Sequence, residues 1–180
     1  MKVYLVGGAI RDKLLGLTPK EKDWVVVNSN PSQLIELGYK QVGKKFPVFL
    51  HPETFEEYAL ARLERKTNKG HKGFEFDTSE SVTLEQDLLR RDITINAIAQ
   101  DDNGDLIDPH NGITDLENRI IRHVSDAFSE DPLRIFRVAR FYCVLSDYNF
   151  TIHEATYEVM KNIVKSGEIE ELSRERLWTE

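Results

Sequence analysis

The sequence predicts an α+β fold, mixed α/β to about residue 125 and helical beyond it. Three observations carry that prediction. Short β-branched runs, at residues 3–6 and in Asp23–Val27, alternate with amphipathic stretches in the first two thirds of the chain. Glycine, asparagine and proline punctuate them as turn and cap signals. After residue 125 the β-branched runs give way to two long stretches with apolar residues at helical spacing. At 180 residues the chain has room for one sizeable core, or one domain and the start of another. The predicted division is 1–125 and 126–180.

Taken in order, residues 3–6 form an apolar strand that Gly7 and Gly8 end, and residues 9–15 a helix stopped by Gly16. Asp23-Trp24-Val25-Val26-Val27 is a second strand. Asn30-Pro31 opens a helix, with asparagine as cap and proline in the first turn. Residues 46–50 and 57–62 are strands on either side of a turn at 51–54. Residues 65–81 are poor in aliphatics and mixed in charge, which predicts a mobile loop with Phe74 and Phe76 as anchors. Thr83-Leu84-Glu85-Gln86 has capping-box spacing, and Thr114-Asp115-Leu116-Glu117 repeats it. Asp102-Asn103-Gly104-Asp105 is a hairpin turn between two short strands. Asp131-Pro132 opens the longest predicted helix, running to about Ser146 with Leu133, Phe136, Val138, Phe141 and Leu145 in its core. A further helix carries Ile152, Ala155, Val159, Met160 and Ile163, and Gly167 ends it. From Ser173 a helix begins with room for only two turns, marginal alone in water. The 180 residues are therefore expected to be the front part of a longer protein.

No apolar run is long enough to span a bilayer. Residues 1–16 place Lys2 before an apolar stretch, but Gly7, Gly8, Arg11 and Asp12 interrupt it, so it belongs to the fold and not to a signal peptide. The single cysteine, Cys143, excludes an internal disulfide and suits a reducing compartment. Net charge is −7, distributed as +4 over residues 1–50, −3 over 51–100 and −8 over 101–180. Total charge therefore argues against a nucleic-acid partner more than its distribution does.

Four constellations carry chemistry. Gly7-Gly8-Ala9-Ile10-Arg11-Asp12 joins a strand to a helix through glycines that let a phosphate approach, with Arg11 one turn inside. Glu21-Lys22-Asp23 sets two carboxylates two residues apart, on one side of a strand, where they can hold magnesium. Glu57 is a weaker candidate for a third carboxylate. Arg90-Arg91-Asp92-Ile93-Thr94-Ile95-Asn96-Ala97 pairs arginines with an acid that holds them. In Glu130-Asp131-Pro132-Leu133-Arg134-Ile135-Phe136-Arg137-Val138-Ala139-Arg140, the residues Asp131, Arg134, Arg137 and Arg140 recur every third position and form one polar stripe. Three arginines with one acid nearby are under-neutralised and invite an anion. Arginine offers only donors and aspartate only acceptors, so an Asp131–Arg134 pair matches the edges of cytosine and adenine and rejects guanine and uracil.

These residues resemble a known family. GGAIRD, the carboxylate pair before DWVVV, RRDITINA, EDPLRIFRVARF and LSRERLWTE occur in this order in class II CCA-adding enzymes, and EEYALAR and FPVFLHP match the gammaproteobacterial branch. The resemblance covers essentially the whole chain. It implies a polymerase β-like nucleotidyltransferase head with a mixed or antiparallel sheet, followed by part of a helical neck. It also implies template-independent, two-metal addition of CCA to the tRNA 3′ end from CTP and ATP, with Mg2+ as cofactor, in the cytoplasm. Glu21 and Asp23 would bind the metal. Gly8, Arg11, Arg91, Arg137 and Arg140 would bind the nucleotide, with Asp131 and Arg134 acting as the template for its base. The segment after Arg65 resembles the flexible loop of the switch from C to A. The family pattern usually has aspartate where Glu21 stands. A bacterial poly(A) polymerase, a split-function CC- or A-adding enzyme, and a non-catalytic nucleotide- or RNA-binding module are the competing expectations.

Overall fold

Val25, Val26 and Val27 are all buried although their side chains alternate in direction, so their strand needs apolar cover on both faces. The computed structural model, which describes residues 1–42, 48–66 and 74–180, supplies it by placing them inside a mixed sheet. In chain order, β1 (Lys2–Val6) leads to α1 (Gly8–Leu14), β2 (Asp23–Val27), α2 (Pro31–Glu36), β3 (Lys40–Val42), β4 (Val48–Leu50) and β5 (Glu57–Leu60). Then come β6 (Leu63–Lys66), β7 (Phe74–Asp77), α3 (Leu84–Leu89), β8 (Ala99–Gln100), β9 (Leu106–Ile107), α4 (Gly112–Glu117) and β10 (Ile120–Ile121). The chain closes with α5 (Leu133–Val144), β11 (Thr151–Ile152), α6 (Glu154–Ser166) and α7 (Arg174–Thr179). The main sheet has the order β3-β4-β5-β2-β1-β8-β9. Among the described strands of this sheet β2 and β5 pair in parallel, setting Asp23 beside Glu57, and the other pairs of the sheet are antiparallel.

Local chemistry explains most boundaries. Asn30 accepts from the Gln33 amide at 3.0 Å and Pro31 fills the first turn of α2. Thr83 and Gln86 exchange both capping-box bonds at the start of α3. The turn at 101–105 joins β8 to β9 as expected.

Five expectations are corrected. Thr114 lies inside α4, whose first amides are instead capped by Asp108 at 2.7 and 2.8 Å. The expected strand 57–62 ends at Leu60; the Ala61 amide still donates to the Val26 carbonyl at 2.8 Å, and the Arg62 amide then turns to the buried Asp87 carboxylate at 3.2 Å. The expected loop 65–81 contains two strands: β6 and β7 pair antiparallel, and Phe76 lies under the Arg62 guanidinium at 5.4 Å. Residues 67–73, the Phe74 side chain and the start of the expected strand 46–50 lie outside the described residues. Finally, α6 outlasts α5 by one residue, and the segment after 125 is not wholly helical, since β11 pairs with β10.

Packing does not break at residue 125. Ile93, Ile95, Leu116 and Ile121 share one buried cluster with Phe128, Val138, Phe141, Leu145, Phe150 and Ile163. Thr156 of α6 adds a polar link, accepting from the His123 amide at 2.9 Å. This continuity fixes α5 against the turn at Ile93–Ile95, α4 and β10. Among the described residues no helix is long and apolar enough to cross a membrane.

Candidate active site

The turn from β1 into α1 depends on Gly7, whose φ of 73° and ψ of −134° are closed to residues with a side chain. A Cβ there would stand 3.0 Å from Arg91 Nη1, so the glycine also permits the arginine's approach. Gly8 follows beside Arg11, and α1 then points Arg11 inward, where its Nη1 donates to Asn96 Oδ1 at 2.8 Å and its Nε and Nη2 to Asp12. From α3, Arg90 and Arg91 share the buried Asp87 at 2.9 and 3.4 Å. Burial alone would raise the Asp87 carboxyl, but the two guanidiniums and their hydrogen bonds outweigh it and hold the carboxyl below its ordinary value. Arg91 also reaches the Asn96 carbonyl at 3.3 Å, and its Nε is buried without a hydrogen-bond partner.

Arg11, Arg90, Arg91 and Asn96 line a 460 Å3 cavity together with Gly7, Gly8, Asp23, Arg62 and the polar stripe of α5. Arg11, Arg91, Asp131, Arg134, Arg137 and Arg140 all border it, so residues far apart in sequence converge as expected. The expectation that the stripe is under-neutralised is corrected. Arg137 binds Asp92 at 2.8 Å and Glu180 at 3.4 Å, and Arg140 binds Glu180 at 2.8 Å. Burial works against the charged form of Asp92, yet Arg137 and the Ile93 amide keep its carboxyl below its ordinary value. Arg134 donates to the carbonyls of Ala127 and Arg90 at 3.0 and 2.8 Å. Asp131 is gripped by Arg176 of α7 at 2.8 and 3.2 Å. Tertiary folding brings acids to this stripe that its own helix does not carry.

Arg176, Arg62 and Phe141 also line the cavity and were missed as site residues. The Phe141 ring underlies the guanidiniums of Arg140 and Arg11 at 4.4 and 5.3 Å. Arg176 and Glu180 stand four apart at the end of the LSRERLWTE motif, a spacing that sets them on one side of α7 and its cap.

Asp23 opens β2, but Glu21 precedes the strand, so the expected alternation along a strand does not set its direction. Asp23 borders both the arginine-lined cavity and a second one of 380 Å3, which Glu21, Glu56 and Glu57 also line. The Asp23 carboxyl is raised by partial burial first and by the neighbouring Glu21 charge last, with Arg91 opposing. Two oxygen donors whose charges disfavour each other fit a hard divalent cation. Among the described residues no group of three or more histidine, cysteine or acidic side chains is close enough to hold a metal, so Glu57 does not complete a triad. Lys22 and Trp24 occupy Glu56 at 3.0 and 2.8 Å.

Residues 3–122 match the family model described as the poly A polymerase head domain. The whole chain is 61% identical to a multifunctional CCA protein of Pseudoalteromonas atlantica, and spans 44% of that protein's length. A solved CCA-adding enzyme in complex with CTP superposes with a TM-score of 0.75 at 34% identity, covering 98% of this chain and 42% of the other. A tRNA nucleotidyltransferase bound to a primer tRNA and an incoming ATP analogue gives 0.73 at 33% identity, over 98% of this chain and 50% of the other.

Proposed function

The chain belongs to the poly A polymerase head domain family, and from that premise we propose that it is the catalytic end of an enzyme that adds CCA to tRNA 3′ ends from CTP and ATP without a nucleic-acid template. In this reading residues 1–125 are the catalytic head and 126–180 begin a nucleobase-reading neck. The observation that carries it is the meeting of an arginine-lined cavity and a carboxylate pair at one residue, Asp23. A triphosphate and a hydroxyl nucleophile require that pairing of environments. The whole-chain identity with a CCA protein supports CCA addition over poly(A) synthesis.

Arg11, Arg91, Arg137 and Arg140 hold the triphosphate, charge against charge, in forked donor geometry, and Gly8 binds it through a backbone that no side chain shields. The acceptor 3′-oxygen bonds to the α-phosphorus, the bond to the β-phosphate bridge breaks, and pyrophosphate and the hydroxyl proton leave. Nucleotidyltransferases of this family use divalent metals; we assign magnesium, held by Glu21 and Asp23, supplying acidification of the hydroxyl and neutralisation of phosphate charge. Asp131 and Arg134 read the base edge, which requires Asp131 to exchange its Arg176 contact for the amino group of C or A. A tRNA substrate puts the reaction in the cytoplasm.

The test is incorporation of each labelled triphosphate, with magnesium, by the intact protein on tRNA ending at the discriminator base or at CC, beside an unstructured RNA. Two C additions followed by one A, with nothing from GTP or UTP, support the reading. A tails on the unstructured RNA point to a poly(A) polymerase. Addition of only CC or only A points to a split-function enzyme, and binding of CTP without turnover points to a non-catalytic module.

A further inference from the structure

Residues 17–22 approach β2 outside helix and strand, so pairing in the sheet fixes Asp23 but not Glu21. What reaches this stretch is the Glu56 carboxylate, from the turn between β4 and β5. Its Oε1 accepts from Lys22 Nζ at 3.0 Å and its Oε2 from Trp24 Nε1 at 2.8 Å. Both oxygens of one side chain are thus occupied by the two residues that flank Asp23.

The turn that carries Glu56 is itself tied down. The His51 amide donates to the Glu56 carbonyl at 3.0 Å, and the Glu56 amide to Thr54 Oγ1 at 3.4 Å. Trp24 stacks on Tyr58, with ring centroids 5.5 Å apart and planes 13° from parallel. The two are register partners across the β2–β5 pair, as are Asp23 and Glu57. Neighbours along a strand point to opposite faces, so Asp23 faces away from the side where Trp24 meets Glu56. Two side chains two residues apart reach one carboxylate most directly from an extended backbone. That geometry carries the alternation of β2 back through Lys22 and sets Glu21 on the side of Asp23. The ion pair adds little stability by itself, because the Lys22 side chain is 47% exposed. The effect of Glu56 therefore lies in orientation.

Resting on the assignment of the divalent cation to Glu21 and Asp23, we propose that Glu56 is a positioning residue for that pair: it holds Lys22 and Trp24 to one face and thereby turns Glu21 to the other, without itself touching cation or substrate. The same two donors neutralise and orient Glu56, so it does not compete for the cation.

The experiment follows Mn2+ binding by the intact protein through loss of the free-ion electron paramagnetic resonance signal, and CTP binding in EDTA by isothermal titration. Carboxylate oxygens suit Mn2+ as they suit magnesium. Glu56→Gln keeps the size of the side chain but turns one acceptor into a donor, and is expected to weaken Mn2+ binding about tenfold. CTP binding without metal stays within about twofold, because the arginines take no part in these contacts. Lys22→Met combined with Trp24→Phe removes both donors, keeps the stack on Tyr58 and reproduces the loss. Adding Glu56→Gln to that pair then costs no more than about twofold further. Wild-type Mn2+ binding by Glu56→Gln overturns the proposal, as does a full further loss on top of the double variant. Equal loss of Mn2+ and CTP with a lowered melting temperature would show a role in the fold alone and overturn it too. Asp23→Asn tests the reading beneath: if it binds Mn2+ as wild type does, the metal assignment fails and the positioning role with it. Loss in both Asp23→Asn and Glu56→Gln, in a protein that incorporates no triphosphate, upholds the positioning role while sinking the CCA-adding reading.

Discussion

Arg176 holds both carboxylate oxygens of Asp131, at 2.8 and 3.2 Å, across the gap between α7 and the start of α5. The same carboxylate accepts from the Leu133 amide at 3.1 Å and so caps α5. Asp131 is thus held from two sides before any base arrives, and a base that offers an amino group must compete with a guanidinium. Asp131→Ala removes the acceptor that guanine cannot match, so it is expected to relax discrimination against GTP by about 10- to 100-fold, measured by competing labelled GTP against CTP. Arg176→Ala frees the carboxylate without removing it, and should shift CTP affinity while leaving GTP excluded. Unchanged selectivity in Asp131→Ala would remove the residue from base reading.

Asp92 is only 7% exposed and accepts from the adjacent Ile93 amide and from Arg137 of α5. Its folded-state carboxyl is held below its ordinary value, as is that of Asp87. A depressed folded pKa contributes stability above the unfolded value, about 4, and that contribution is lost as pH falls through the folded pKa. Urea melts from pH 7 down to 3 should therefore show stability falling on the acid side. Asp92→Asn cannot titrate, so its stability should be lower by about 1–3 kcal/mol at pH 7 and flatter with acid. A parallel acid slope in wild type and variant would show that Asp92 does not contribute to it.

Elements specified by neighbouring residues were legible in the sequence: the Asn30 cap, the Thr83–Gln86 capping box and the turn at 101–105 all depend on partners within four positions. The arginine stripe was legible too, because it repeats along one helix. Its neutralisation was not, since Asp92 and Glu180 meet Arg137 from 45 and 43 positions away. The same limit applies to α4, where capping-box spacing at Thr114 suggested a start that the Asp108 carboxylate displaces upstream. Periodicity reports which face is polar; it carries no information about which distant charge comes to rest against that face.

Gly112 shows how tightly α4 is pressed onto the turn that carries Asn96. A Cβ at this position would collide with the Thr94 carbonyl oxygen and come within 2.8 Å of Ile98 Cγ1. Neither neighbour can yield, because the Thr94 hydroxyl is bonded to Asp115 at 2.7 Å and Ile98 is fully buried. Gly112→Ala should cost about 1–3 kcal/mol by overpacking, read as a lowered urea midpoint with an unchanged slope. Nucleotide binding should weaken with it, since the Arg11–Asn96 bond sits on the displaced turn. A variant as stable as wild type would mean that α4 can slide.

Glu21 lies outside β2, whereas Asp23 is held by its strand, so the two carboxylates differ in freedom as well as length. A longer side chain on a less constrained backbone can still reach a cation that Asp23 anchors. Replacing it by aspartate shortens the reach by one methylene but keeps charge and donor type, and the backbone before β2 can move to compensate. Glu21→Asp is therefore expected to bind magnesium with CTP within about threefold of wild type, while Glu21→Gln loses roughly 10- to 100-fold, the scale seen when a metal site loses a supporting group. Isothermal titration at fixed CTP measures both. If the glutamine variant binds as wild type does, the cation rests on Asp23 and phosphate oxygens alone, and Glu21 contributes only field. If the aspartate variant fails as badly as glutamine, reach decides the matter, and the glutamate at this position is a requirement of this chain's geometry.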